Sequence, residues 1–256
     1  MRTTRSSSRV GTGLNLLFPL SRSVVLWQLG IVLTAVNAAG QPSMLSRPRD
    51  LLTADPRAFA EWVETAAPKP VRPEDKARSL RALPTEGEVT NLTDVVRRKL
   101  NAVDQFLRAA GRDSIYDIKV VDIPLARIAL YDRSALLISE HALQLVDEKD
   151  LQALVAHELG HEYVAADYLR ASQLGDHNRL KQLELICDAV AIVILHGRGL
   201  DPSRLMSSVE RITRYNRKSR GTMVDERGYP TLDERQAFAR AVTAWVTRQG
   251  DRRSLR

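Results

Sequence analysis

The sequence predicts an α+β chain, mainly helical, with one small three-strand sheet. Three observations carry this. Beyond position 90, apolar residues recur at helical spacing through most of the chain. Three short β-branched or apolar runs stand in a row between 118 and 139, separated by a proline and a turn signal. Cys187 is the single cysteine in 256 residues, so the fold must rest on a buried core and not on disulfides. A hydrophobic share of 44% with 27% charged residues excludes wholesale disorder and a multi-span membrane protein.

Residues 1–40 form the first segment. They hold Arg2, Arg5, Arg9 and Arg22 and no acid, then sixteen mostly apolar residues over 24–39, then the small residues Ala38, Ala39 and Gly40. This order reads as a secretory signal cut after Ala38 or Gly40, which implies an exported, periplasmic or secreted protein. A single N-terminal membrane anchor is the other reading, although sixteen residues are short for a span of about 20. A mitochondrial presequence also fits the Arg- and Ser-rich start. Residues 41–88 follow as a Pro-rich arm or linker with seven of the eleven prolines. One helix is expected there, over 56–66, with Asp55 as cap and Pro56 at its first position. The rest is expected to be extended and to serve as a linker, a wrap around the domain or an inhibitory prosegment.

Residues 89–249 read as one domain. Leu92, Val96, Leu100, Val103 and Leu107 mark a helix that Gly111 stops. Residues 118–123, 127–131 and 135–139 read as strands. Helices are expected over 140–146, from 147 to about 170, from a cap at Asn178 to 196, and after Asp201-Pro202. Thr231 and Glu234 form a capping box before a last helix to about 249. Residues 185–195 are very apolar but too few for a span, so this is a buried helix. Residues 250–256 form a basic tail.

The chemistry lies in His157-Glu158-Leu159-Gly160-His161, an H-E-x-x-H motif. Positions i and i+4 share a helical face, so both imidazoles can point at one ion. Glu158 then stands beside the ion and can take a proton from a water whose pKa zinc lowers to roughly 7. The bland reading is a surface helix with two histidines. Leu151, Leu154, Val155 and Leu159 argue against it, because they bury this helix, and unpartnered buried histidines are costly. For a third ligand, Glu184 fits, with Asp188 four residues on as acceptor for a ligand histidine N–H. The alternatives are Asp167 or His177 as ligand, or a carboxylate pair held by arginines. Cys187 is expected to point away from the Glu184 face as a core residue.

From the strands through His161 to Glu184-Leu-Ile-Cys-Asp188, the chain resembles the gluzincin metallopeptidases of the HtpX and CAAX prenyl protease type. The resemblance covers about residues 90–245. It implies a zincin-like metallopeptidase domain with the small sheet over the H-E-x-x-H helix. It implies one Zn2+ on His157, His161 and Glu184, Glu158 as general base, and Asp188 behind a ligand histidine. It also implies that the edge strand 127–131 holds an extended peptide by β-augmentation. Two departures stand out. Where the family has a histidine before a proline, this chain has Tyr229-Pro230, with Arg235 downstream. Tyr229 is either a donor to an oxyanion or a turn residue. Arg235 either orients the site or pairs with Asp233 or Glu234. The 22 residues between His161 and Glu184 are fewer than the family usual, so the intervening loop is small.

Three function classes follow. The first is a zinc endopeptidase acting on exported or envelope proteins. The second is an inactive envelope chaperone or assembly factor that keeps the zinc site; an intact Glu158 argues against it. The third is nucleic-acid binding through the net charge of +7 and through Arg211, Arg214, Arg217, Lys218 and Arg220. No nucleic-acid module is present, so no nucleic-acid partner is expected. Without residues 1–40 the chain carries 34 basic and 31 acidic side chains. The basic tail remains as a candidate contact for a membrane surface or a partner.

Overall fold

The computed structural model describes residues 47–53, 55–83, 87–220 and 227–250. The expected signal segment and the basic tail beyond 250 lie outside them. The architecture is α+β: nine helices among the described residues, with one small mixed sheet.

Three helices precede the domain core: α1 (Pro48–Thr53), α2 (Pro56–Thr65) and α3 (Pro73–Ala82). Asp55 caps α2 by accepting from Arg57 N at 3.0 Å. The extended reading of the remaining arm is corrected by α1 and α3. Each of these helices begins on a proline, where the missing N–H costs nothing and φ is already set. The prolines start helices here instead of breaking them. Leu51 and Phe59 are fully buried in the main core, with Val63 beside them.

Hydrogen bonds fasten the arm to the domain. Tyr163 donates to Val63 O at 2.6 Å. Arg112 and Arg133 donate to the carbonyls of Pro68 and Lys69 at 3.0 and 2.6 Å. Ser79 Oγ donates to the Asp132 carboxylate. Both arginines converge on buried Glu162, at 3.0 and 3.3 Å. Paired on both oxygens, that carboxylate meets the requirement for burying a charge.

Helix α4 (Asp94–Ala109) is capped by Thr93 and ends before Gly111, whose φ of +70° suits glycine. The sheet has the order β1–β3–β2, with β1 (Asp117–Val121) parallel and β2 (Ile128–Tyr131) antiparallel to β3 (Ala135–Ser139). The central strand β3 is buried at every position, as its unbroken apolar run requires. Asp132 and Arg133, with φ of +44° and +51°, make the two-residue turn from β2 to β3. The outer edge of β1 is covered by residues 87–89, through Val89 N to Val120 O at 2.9 Å and Asp122 N to Gly87 O at 2.7 Å.

Ser139 caps α5 (Glu140–Leu145) and Asp147 caps α6 (Glu148–Leu174). Helix α6 runs past the expected end near 170 to Gly175, a left-handed C-terminal stop with φ +64°. Asp176, not Asn178, caps α7 (His177–Gly197), because its carboxylate reaches Arg179 N at 2.9 Å. From Leu183 to Leu195 almost every residue of α7 is buried. The helix packs against α1, α2, α6, α8 (Ser203–Arg220) and α9 (Leu232–Gly250), so it has no polar face to spare. The capping box of α9 forms: Glu234 accepts from Thr231 N at 2.7 Å, and Thr231 Oγ1 accepts from Glu234 N at 3.2 Å. No described helix is long and apolar enough to cross a membrane.

Candidate metal centre

The site lies where α6 crosses α7. Gly160 sets their separation. A Cβ at that position would lie 2.7 Å from Cys187 Cα and 2.8 Å from its carbonyl oxygen. Only a residue without a side chain lets the helices approach this closely. The approach brings Glu184 of α7 against both histidines of α6.

Glu184 Oε2 lies 3.3 Å from His157 Nε2, and its Oε1 lies 3.8 Å from His161 Nε2. Donors about 2.0–2.1 Å from a tetrahedral ion stand roughly 3.3 Å apart, a spacing that the His157 contact matches and the His161 contact exceeds. His157, Glu158 and His161 also form a group whose potential ligand atoms all lie within 4.8 Å of one another. Glu184 is 2% exposed, with an imidazole against each carboxylate oxygen and the Arg235 charge also acting on it.

Behind His157 stands a second layer. Asp188 Oδ1 is 2.9 Å from His157 Nδ1. Arg235 grips the other side of the same carboxylate, its Nε donating to Oδ2 at 2.8 Å and its Nη2 to Oδ1. Of the two expectations for Arg235, orientation of the site fits this contact. Asp188 is thus held by an arginine and also holds a histidine, which fixes the ring with Nε2 toward Glu184.

The electrostatics follow from this packing. Burial by itself pushes the His157 imidazole down, but the hydrogen bonds from Asp188 and Glu184 outweigh it and lift it to about 9. Burial pushes Glu184 up, yet the charge of His161 and the hydrogen bond from His157 win, so its carboxyl falls far below the usual range. Asp188 is lowered as well: burial opposes it, and the Arg235 charge and the His157 hydrogen bond prevail.

Glu158 faces the sheet. Its Oε2 accepts from Leu130 N at 2.9 Å, on the edge strand β2. Ser139 N donates to Arg127 O, which turns the main-chain groups of 127 toward β3. Alternation along the strand then turns those of Ile128 and Leu130 outward, toward the site. The H-E-x-x-H glutamate and an open strand edge are therefore adjacent.

The other candidates fall elsewhere or in part. Asp167 is paired with Arg179 at 2.8 Å and is not at the centre. His177 sits in the first turn of α7, with a buried Nδ1 near Gly228. Tyr229 is 42% exposed as a residue. Burial of its hydroxyl end, followed by the Glu184 charge, pushes its pKa up. Cys187 does not point away as expected: its Sγ lies 3.5 Å from His161 Nδ1. The i+3 offset from Glu184 and the close passage at Gly160 turn it toward the site.

Two contributors went unread in the sequence. Tyr168 donates to Glu184 Oε1 at 3.1 Å, and its ring stands edge-on to His161 at 5.2 Å. Its spacing was the available signal, since 157, 161, 164 and 168 share one face of α6. Gly160 was visible inside the motif, but its close partner on α7 is a tertiary fact. Comparison with protein-family models and with curated proteins finds no match to this chain.

Proposed function

We propose that this chain is a zinc-dependent endopeptidase with a zincin-like domain, acting on extended polypeptide. The observation that carries the reading is the convergence of His157, His161 and Glu184, with Glu158 held between them and the edge of β2. Zinc, when bound, acts as a Lewis acid that polarises the scissile carbonyl and makes an attacking water acidic.

The residues supply the rest. His157, His161 and Glu184 hold the ion, and Asp188 with Arg235 keeps His157 in its binding tautomer. Glu158 takes the proton from water and passes it to the departing amine nitrogen. The outward main-chain groups of Ile128 and the Leu130 carbonyl offer a peptide a strand to pair with, while Leu130 N is held by Glu158. Tyr229 is assigned as donor to the oxygen as the carbonyl turns tetrahedral. Of the basic residues on α8, Arg211 is tied to Asp150 at 2.8 Å and Arg214 is paired with Glu210. The signal-like residues 1–40 favour substrates outside the cytoplasm.

The test is cleavage of unfolded casein by the full chain, with a zinc chelator and with zinc restored. Chelation abolishing the cleavage and zinc restoring it supports the reading. Cleavage indifferent to chelation, or no cleavage by zinc-loaded protein, refutes it.

A further inference from the structure

The two histidines of α6 are not supported alike. His157 Nδ1 faces the Asp188 carboxylate at 2.9 Å. The equivalent nitrogen of His161 faces a thiol, Cys187 Sγ, at 3.5 Å, within reach for a sulfur acceptor. The thiol is held there. Gly160 brings the α6 backbone against Cys187 so closely that its own Cβ would lie 2.9 Å from Cys187 Cβ. Cys187 is fully buried, so the sulfur has no water to compete for the contact.

We propose that Cys187 is the positioning residue for His161: its sulfur accepts the Nδ1–H and thereby presents Nε2 to the metal. The proposal rests on the zinc reading. Its chemistry follows from the residue type. A buried, polarisable sulfur 3.5 Å from Nδ1 fixes the ring and its tautomer but pushes less electron density into it than a carboxylate does. His157 is thus the strongly donating ligand, and His161 the weaker one. Tyr168, edge-on to His161 at 5.2 Å, limits ring rotation from the other side.

The experiment uses the full chain with cobalt(II) in place of zinc, and proton NMR of the exchangeable imidazole N–H groups shifted by the metal. The unaltered chain should show two such resonances, one per histidine. In Cys187→Ala the His161 resonance should vanish through exchange with water while that of His157 stays. Zinc affinity, read by competition with a chromogenic chelator, should weaken by about tenfold. Cys187→Ser, which keeps an acceptor, should recover the resonance and most of the affinity. Two equally persistent resonances and an unchanged affinity in Cys187→Ala would overturn the proposal. If the unaltered chain takes up neither zinc nor cobalt, the metal reading itself fails and the proposal falls with it.

Discussion

Gly160 lies so close to Cys187 that no side chain fits between them: an added Cβ would meet Cys187 Cα at 2.7 Å. The contact is backbone against backbone, so no side-chain rotation can relieve it. It fixes how far Glu184 stands from His157 and His161.

Gly160→Ala should therefore force α6 and α7 apart. Overpacking of this kind costs about 1–3 kcal/mol. Zinc affinity should fall with it, because Glu184 moves away from two ligands that stay on α6. Thermal unfolding and zinc competition check both parts. An alanine variant with unchanged affinity would show that the helix separation does not set the site.

Asp188→Asn keeps the shape of the side chain behind His157 but removes its charge. It should weaken zinc binding by roughly 10–100-fold while leaving the helices folded. Arg235 then loses its carboxylate, so some stability should also go. Circular dichroism with zinc titration separates the two effects.

Zinc binding should be proton-linked. In the metal-free chain His157 is raised from 6.5 to about 9, so its charged form is favoured by folding. That stabilisation is fully present below 6.5 and is lost as pH rises through about 9. Glu184 behaves oppositely: its contribution is present above 4.5 and is lost as pH falls well below that. Zinc needs neutral His157, so affinity should rise with pH toward about 9. Dissociation constants at several pH values check the slope; a flat profile above neutrality contradicts it.

The N-terminal arm should behave as part of the domain. Phe59 is fully buried and stacks on Trp62 at 5.5 Å. Phe59→Ala should cost about 3–5 kcal/mol of global stability. A loss below about 1 kcal/mol would mark the arm as a separable extension.

Much of this was legible in the sequence because it is local. The cap at Asp55, the capping box at Thr231 and Glu234, the stop at Gly111 and the three strands all arise from neighbouring residues. The pairing of the site residues was also legible: about 3.6 residues per turn put His157 with His161 and Glu184 with Asp188 on single faces. What was missed is tertiary. Apart from the helix that Pro56 opens, the arm is expected to be extended, whereas Pro48 and Pro73 also open helices. Cys187 was assigned to the core by helical geometry alone, which says nothing of how closely α6 passes at Gly160. Tyr168 gains its role only from Glu184, which reaches it across the helix crossing.

In the proposed reaction Glu158 does the chemistry while the histidines and Glu184 hold the ion. The most direct test of this is Glu158→Gln in the full chain, with zinc content and casein cleavage measured on the same sample. The expected result is stoichiometric zinc with cleavage reduced by at least about 100-fold, since the amide keeps the shape but cannot take a proton. Cleavage at the unaltered rate by a zinc-loaded Glu158→Gln chain would contradict it.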